Sequence, residues 1–109
     1  MPIEDRRIVF SSEEVYKALY ALSVKKDMPP PPPGVVRMVS ENTKNPAEII
    51  VKLEDPSRHK AEAVEYSRDF LAASLLMFCR GAGIPLPKSG QKSVMINDGE
   101  VILRVQKKI

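Results

Sequence analysis

Apolar and polar positions along the chain predict most of its elements. Residues 7–10 (Arg-Ile-Val-Phe) form a short strand candidate. Ser11 followed by Glu14 makes a capping box, in which the serine hydroxyl accepts one orphan backbone N–H and the glutamate reaches back for another. Val15, Ala18, Leu19 and Leu22 then recur at helical spacing, with Tyr16 and Tyr20 on the flank, and predict a helix over 12–25. It must stop before Met28, because a residue preceding proline is pushed out of the helical region. Residues 35–40 (Val-Val-Arg-Met-Val-Ser) and 48–53 (Glu-Ile-Ile-Val-Lys-Leu) are two strand candidates joined by a turn-rich segment over 41–46. In the second, Ile49, Val51 and Leu53 share one face while Ile50 and Lys52 take the other.

Asp55-Pro56 reads as a helix start, with a carboxylate at the N-cap and proline at the first helical position. The helix is expected to run to about Arg80, with a stripe of Ala61, Val64, Leu71, Leu75 and Phe78 widened by Phe70, Leu76 and Met77. Its second half is almost entirely apolar and is expected at the centre of the core. Gly81 is placed for a left-handed C-terminal cap, with Ile84 available for the accompanying apolar contact and Pro85 blocking continuation. Two last strand candidates, 92–96 and 101–106, flank Asn97-Asp98-Gly99-Glu100. A two-residue Asp98-Gly99 turn pairs Asn97 with Glu100, then Ile96 with Val101, Met95 with Ile102, Val94 with Leu103 and Ser93 with Arg104. That register gathers Ile96, Val101, Val94 and Leu103 on one face, and a slip by one residue would scatter them.

The resulting order, βαββαββ, predicts an α+β domain with an antiparallel sheet and two helices on one face. Its first six elements follow the ferredoxin-like split βαβ order, with one further strand hairpinned to the end. A length of 109 residues suits one domain over 1–109, with a stiff polyproline spacer at 29–33, about 15 Å long at about 3.1 Å per residue. The alternative for that block is a ligand for an aromatic-lined groove, but it has no adjacent arginine.

Composition narrows the class further. At 43% hydrophobic the chain is too apolar to be disordered, and it has no run of apolar residues long enough for a membrane span. The single cysteine and the absence of a signal-like apolar N-terminal stretch predict a cytoplasmic protein. The net charge of +3 is concentrated at one end. Residues 1–34 carry five basic and five acidic side chains and residues 35–82 seven of each, whereas 83–109 carry five basic against two acidic.

Catalytic motifs are not evident. His59 and Cys79, read as lying on one continuous helix, stand too far apart to form a nucleophilic pair or a local metal site. No Gly-x-Ser-x-Gly elbow occurs. The stretch from Gly83 to Ser89 lacks the glycine before lysine that a phosphate-binding loop needs, and its two prolines remove backbone donors. The expectation is therefore a protein that is not an enzyme, with no cofactor, no metal and no evident small-molecule substrate.

Two interaction readings follow. In the first, the chain self-associates or binds another protein through an uncovered sheet face, with Ile50, Met95, Ile102 and Arg104 as the interface. In the second, Lys88, Lys92, Arg104, Lys107 and Lys108 line the terminal hairpin and bind nucleic acid weakly, without sequence preference. No aromatic residue follows Phe78, so the basic end lacks a stacking platform for single-stranded bases. The first reading, a homodimeric interaction or regulatory module, is preferred.

Overall fold

The structure, a computed structural model, describes residues 2–109. In chain order the elements are β1 (Ile3–Phe10), α1 (Ser12–Lys25), β2 (Val35–Glu41), β3 (Glu48–Asp55), β4 (Lys60–Ser67), α2 (Arg68–Gly81), β5 (Gln91–Asn97) and β6 (Glu100–Lys108). The strands form two antiparallel three-stranded sheets, ordered β1-β6-β5 and β2-β3-β4. The chain is thus a small single α+β domain, with eight elements and two sheets in place of the expected seven elements and one sheet.

The difference arises between Asp55 and Ser67. Asp55 caps a turn here and not a helix: its Oδ1 accepts from the Ser57 backbone N–H at 3.1 Å and from the Ser57 hydroxyl at 2.6 Å. His59 follows with φ of 51°, a left-handed conformation that ends any helical path. The chain then folds back as β4, pairing with β3 from Glu48↔Ser67 to Asp55↔Lys60. Val64 and Tyr66 lie on the face that packs against the core, while Ala61 and Ala63 lie on the opposite face. The Ala/Glu-rich stretch favours a helix by propensity, but eight residues of ladder with β3 override it. Helix α2 starts instead at Ser67, whose Oγ accepts from the Phe70 N–H at 3.0 Å.

Other termini follow local chemistry. The Ser11–Glu14 capping box is formed, with the Ser11 N–H donating to Glu14 Oε1 at 2.8 Å and the Glu14 N–H to Ser11 Oγ at 3.2 Å. At the end of α2 the Gly83 N–H donates to the Arg80 carbonyl and the Ile84 N–H to the Cys79 carbonyl, a Schellman motif. Gly83, at φ of 72°, is its left-handed residue, so the role expected of Gly81 falls two residues later. Ile84 packs against the core as expected. Between α1 and β2, Pro31 is buried and the Tyr16 hydroxyl donates to the Pro32 carbonyl at 3.3 Å.

One continuous apolar cluster joins both sheets to both helices. It contains Val15, Ala18 and Leu19 of α1, Leu71, Leu75 and Cys79 of α2, Ile49, Val51 and Leu53 of β3, and Val101, Leu103 and Val105 of β6. Phe10 meets Phe78 edge-on with ring centres 5.9 Å apart, and Tyr66 stacks on Phe70 at 5.5 Å. The two buried hydroxyls, Ser23 and Ser74, donate to carbonyls one turn back, Leu19 and Phe70. Arg68 binds the two sheets at their junction: its guanidinium donates to the carbonyls of Pro46 and Val94 and pairs with Glu41. The molecule is elongated, 53 × 29 × 21 Å, with a radius of gyration of 14.5 Å. A compact chain of this length would give about 13 Å, so the sheets extend the domain and do not close on one another.

Candidate functional site

The terminal hairpin sets the geometry of the outer face of the β1-β6-β5 sheet. β5 and β6 pair from Asn97↔Glu100 through Ile96↔Val101, Met95↔Ile102, Val94↔Leu103 and Ser93↔Arg104, the register expected from the Asp98-Gly99 turn. Asp98 and Gly99 both have positive φ, 50° and 82°, as the mirror-image hairpin turn requires. On the other side of β6, β1 pairs as Phe10↔Val101, Val9↔Ile102, Ile8↔Leu103 and Arg7↔Arg104. Alternation then gives the sheet two faces. Phe10, Val94, Val101, Leu103 and Val105 face the core.

The outer face carries an apolar row of three residues in register, Val9–Ile102–Met95, one from each strand. Ile102, the middle member of the row, is only 9% exposed, whereas Val9 is 54% exposed. The next row is Arg7–Arg104–Ser93. Arg104 does not project freely: its Nε and Nη2 donate to the Asp5 carboxylate at 3.0 Å and 2.7 Å. These hydrogen bonds hold the Asp5 carboxyl below its ordinary range, the charges of Arg104 and Arg7 act in the same direction, and the Arg104 guanidinium is pushed up in turn. On the hairpin side of Ile102, Glu100 is exposed on the same face.

The sequence-derived interface residues divide between two surfaces. Met95, Ile102 and Arg104 share the β1-β6-β5 outer face, while Ile50 lies on the outer face of the other sheet, opposite Ser40 and Glu65. Val9 and Glu100 belong to the first face and lie outside the sequence-derived set. The sequence pattern assigns the strand over 7–10 no partner, and it is the β1–β6 pairing that sets Val9 beside Ile102. The five C-terminal cations are likewise split. Arg104 and Lys108 alternate onto the outer face, Lys92 and Lys107 onto the inner one, and Lys88 lies in the loop before β5.

His59 and Cys79 occupy sites unlike those expected of one long helix. His59 is exposed in the β3–β4 turn, and Cys79 is fully buried in α2. Burial pushes the Cys79 thiol up, and the Glu14 charge adds to the shift, so the thiolate needed for nucleophilic chemistry is disfavoured. Among the described residues, no group of three His, Cys, Asp or Glu side chains is placed to hold a metal ion. Nor is any helix among them long and apolar enough to cross a membrane. No protein-family profile matches the chain, and neither a curated protein nor a solved structure does.

Proposed function

We propose that this protein is a non-catalytic interaction module that associates with a second copy of itself through the outer face of the β1-β6-β5 sheet. The observation that carries this reading is the Val9–Ile102–Met95 row, an apolar band running across all three strands that, among the described residues, stands apart from the apolar core. A sheet packed on one side only must either carry polar residues on the other or meet a partner there. The charges flanking the band favour a second copy as that partner. Arg104 lies two residues beyond Ile102 on one side and Glu100 two residues on the other. A two-fold axis running across the strands beneath Ile102 therefore sets Glu100 of each copy against Arg104 of the other.

Area limits the strength of such a contact. Three strands about 4.8 Å apart and about 30 Å long present roughly 400 Å² in projection. Stable dimers bury about 800 Å² per partner, so this association is concentration-dependent and of moderate affinity. The nucleic-acid alternative has less support, because its five cations do not share one surface.

Sedimentation equilibrium over a concentration series tests the proposal. The wild-type protein is expected to shift from monomer to dimer, and Val9→Glu/Met95→Glu to remain monomeric with an unchanged circular dichroism spectrum. Val9 is exposed and Met95 half-buried, and neither belongs to the core cluster. A wild-type chain that stays monomeric at the highest soluble concentration, or a double variant that dimerises as well as wild type, overturns it.

A further inference from the structure

A second site lies on the helix side of the molecule, away from the proposed dimer face. The last turn of α2, the loop over 82–90 and the start of β5 enclose a cleft of about 310 Å³. Leu76, Ile84 and Leu86 supply apolar wall, and Arg80, Lys88 and Lys92 place three cations around it. No carboxylate lines the cleft, and none of the ion pairs among the described residues uses these three side chains. Lys92 is half-buried beside the apolar wall.

The walls are held in place before any ligand arrives. Pro85 and Pro87 restrict the loop backbone, and Arg6 of β1 donates from Nη1 to the Pro85 carbonyl at 2.8 Å. Arg6 and Lys92 lie in one row of the inner sheet face, each opposite Val105, so the same face that carries Lys92 anchors the loop. The end of a helix normally presents carbonyls that repel an anion. Here those of Phe78, Cys79 and Arg80 accept from the N–H groups of Ala82, Ile84 and Gly83.

We propose that this cleft binds a small phosphomonoester with an apolar body. Three cations with no carboxylate among them match a dianion better than a monoanion. The adjoining aliphatic wall provides for an apolar substituent that inorganic phosphate lacks. A volume near the lower end of the roughly 300–1,000 Å³ typical of small-molecule sites limits the ligand's size.

Hexyl phosphate is a suitable probe, titrated into the full chain and followed by backbone amide chemical shifts. Saturable shifts are expected within residues 76–92, with weaker binding of inorganic phosphate and none of hexanol. Arg80→Gln/Lys88→Gln/Lys92→Gln should bind about tenfold more weakly or less, whereas Lys107→Gln/Lys108→Gln, outside the cleft, should bind as wild type does. Lys88→Gln alone, at an exposed loop position, should weaken binding several-fold if the triple variant does not fold. The proposal is overturned if hexyl phosphate shifts other regions only, if inorganic phosphate binds equally well, or if the folded triple variant or Lys88→Gln keeps wild-type affinity. None of these outcomes depends on the oligomeric state.

Discussion

Arg104 grips Asp5 across 99 residues of sequence, joining the central strand of the sheet to its N-terminal edge through three charge-assisted hydrogen bonds of 3.0, 3.2 and 2.7 Å. The two residues are diagonal neighbours, since Arg104 pairs with Arg7 and Asp5 with Gln106. Among the described residues β1 pairs with β6 alone, and this fork adds a polar side-chain tie along its outer face.

The fork has a pH signature. An aspartate whose pKa is lower folded than unfolded stabilises the fold above the ordinary carboxylate range, and that contribution disappears as pH falls through the folded value. Asp5→Asn is therefore expected to melt slightly lower than wild type at neutral pH, with the gap closing on acidification. Glu14 and Asp55 are also held low, by hydrogen bonds from Ser11 and Ser57 respectively, so both proteins lose stability in acid. The difference between their melting temperatures isolates Asp5. A gap that is constant with pH would assign the effect to packing and not to charge.

The hairpin and the long-helix segment show what the sequence could and could not reveal. The β5–β6 register was readable because a two-residue turn fixes every later pair, and only one register buries Val94, Val101 and Leu103 together. The capping box of α1 was readable for the same reason, its signal lying within four residues. β4 was not, because Ala61 and Val64 fit a helical stripe as well as a strand, and the deciding contact is the ladder to β3. Signals pointing the other way were present: Val64 and Tyr66 alternate, and Ser67 precedes Arg68-Asp69-Phe70 as a second N-cap. At the candidate site, Met95, Ile102 and Arg104 followed from the hairpin, while Val9 depended on the β1–β6 pairing, a contact across nearly the whole chain.

The two glycines at the end of α2 separate cap from helix. Gly81 is helical, with open space where a side chain would go, so Gly81→Ala should stabilise the protein by about 0.4–1 kcal/mol. Gly83 occupies the left-handed cap position at φ of 72°, so Gly83→Ala should destabilise it by about 1 kcal/mol despite equally open surroundings. Urea denaturation of both variants reads the signs directly. The reverse order would return the cap to Gly81.

Glu100 provides a test of how the two copies face each other. If the two-fold axis crosses beneath Ile102, each dimer contains two Glu100–Arg104 encounters, and Glu100→Lys turns both from attractive to repulsive. Exposed pairs contribute about 0.2–1 kcal/mol, so reversing two of them should weaken dimerisation about tenfold. The wild-type dimer should also loosen as salt rises, and Glu100→Lys should show the opposite trend, because screening relieves repulsion. Glu62→Lys makes the same charge change on an exposed residue of β4 in the other sheet and should leave dimerisation unchanged. Equal weakening by both substitutions would trace the effect to net charge, and a dimer indifferent to Glu100→Lys would require a different axis across the same apolar row.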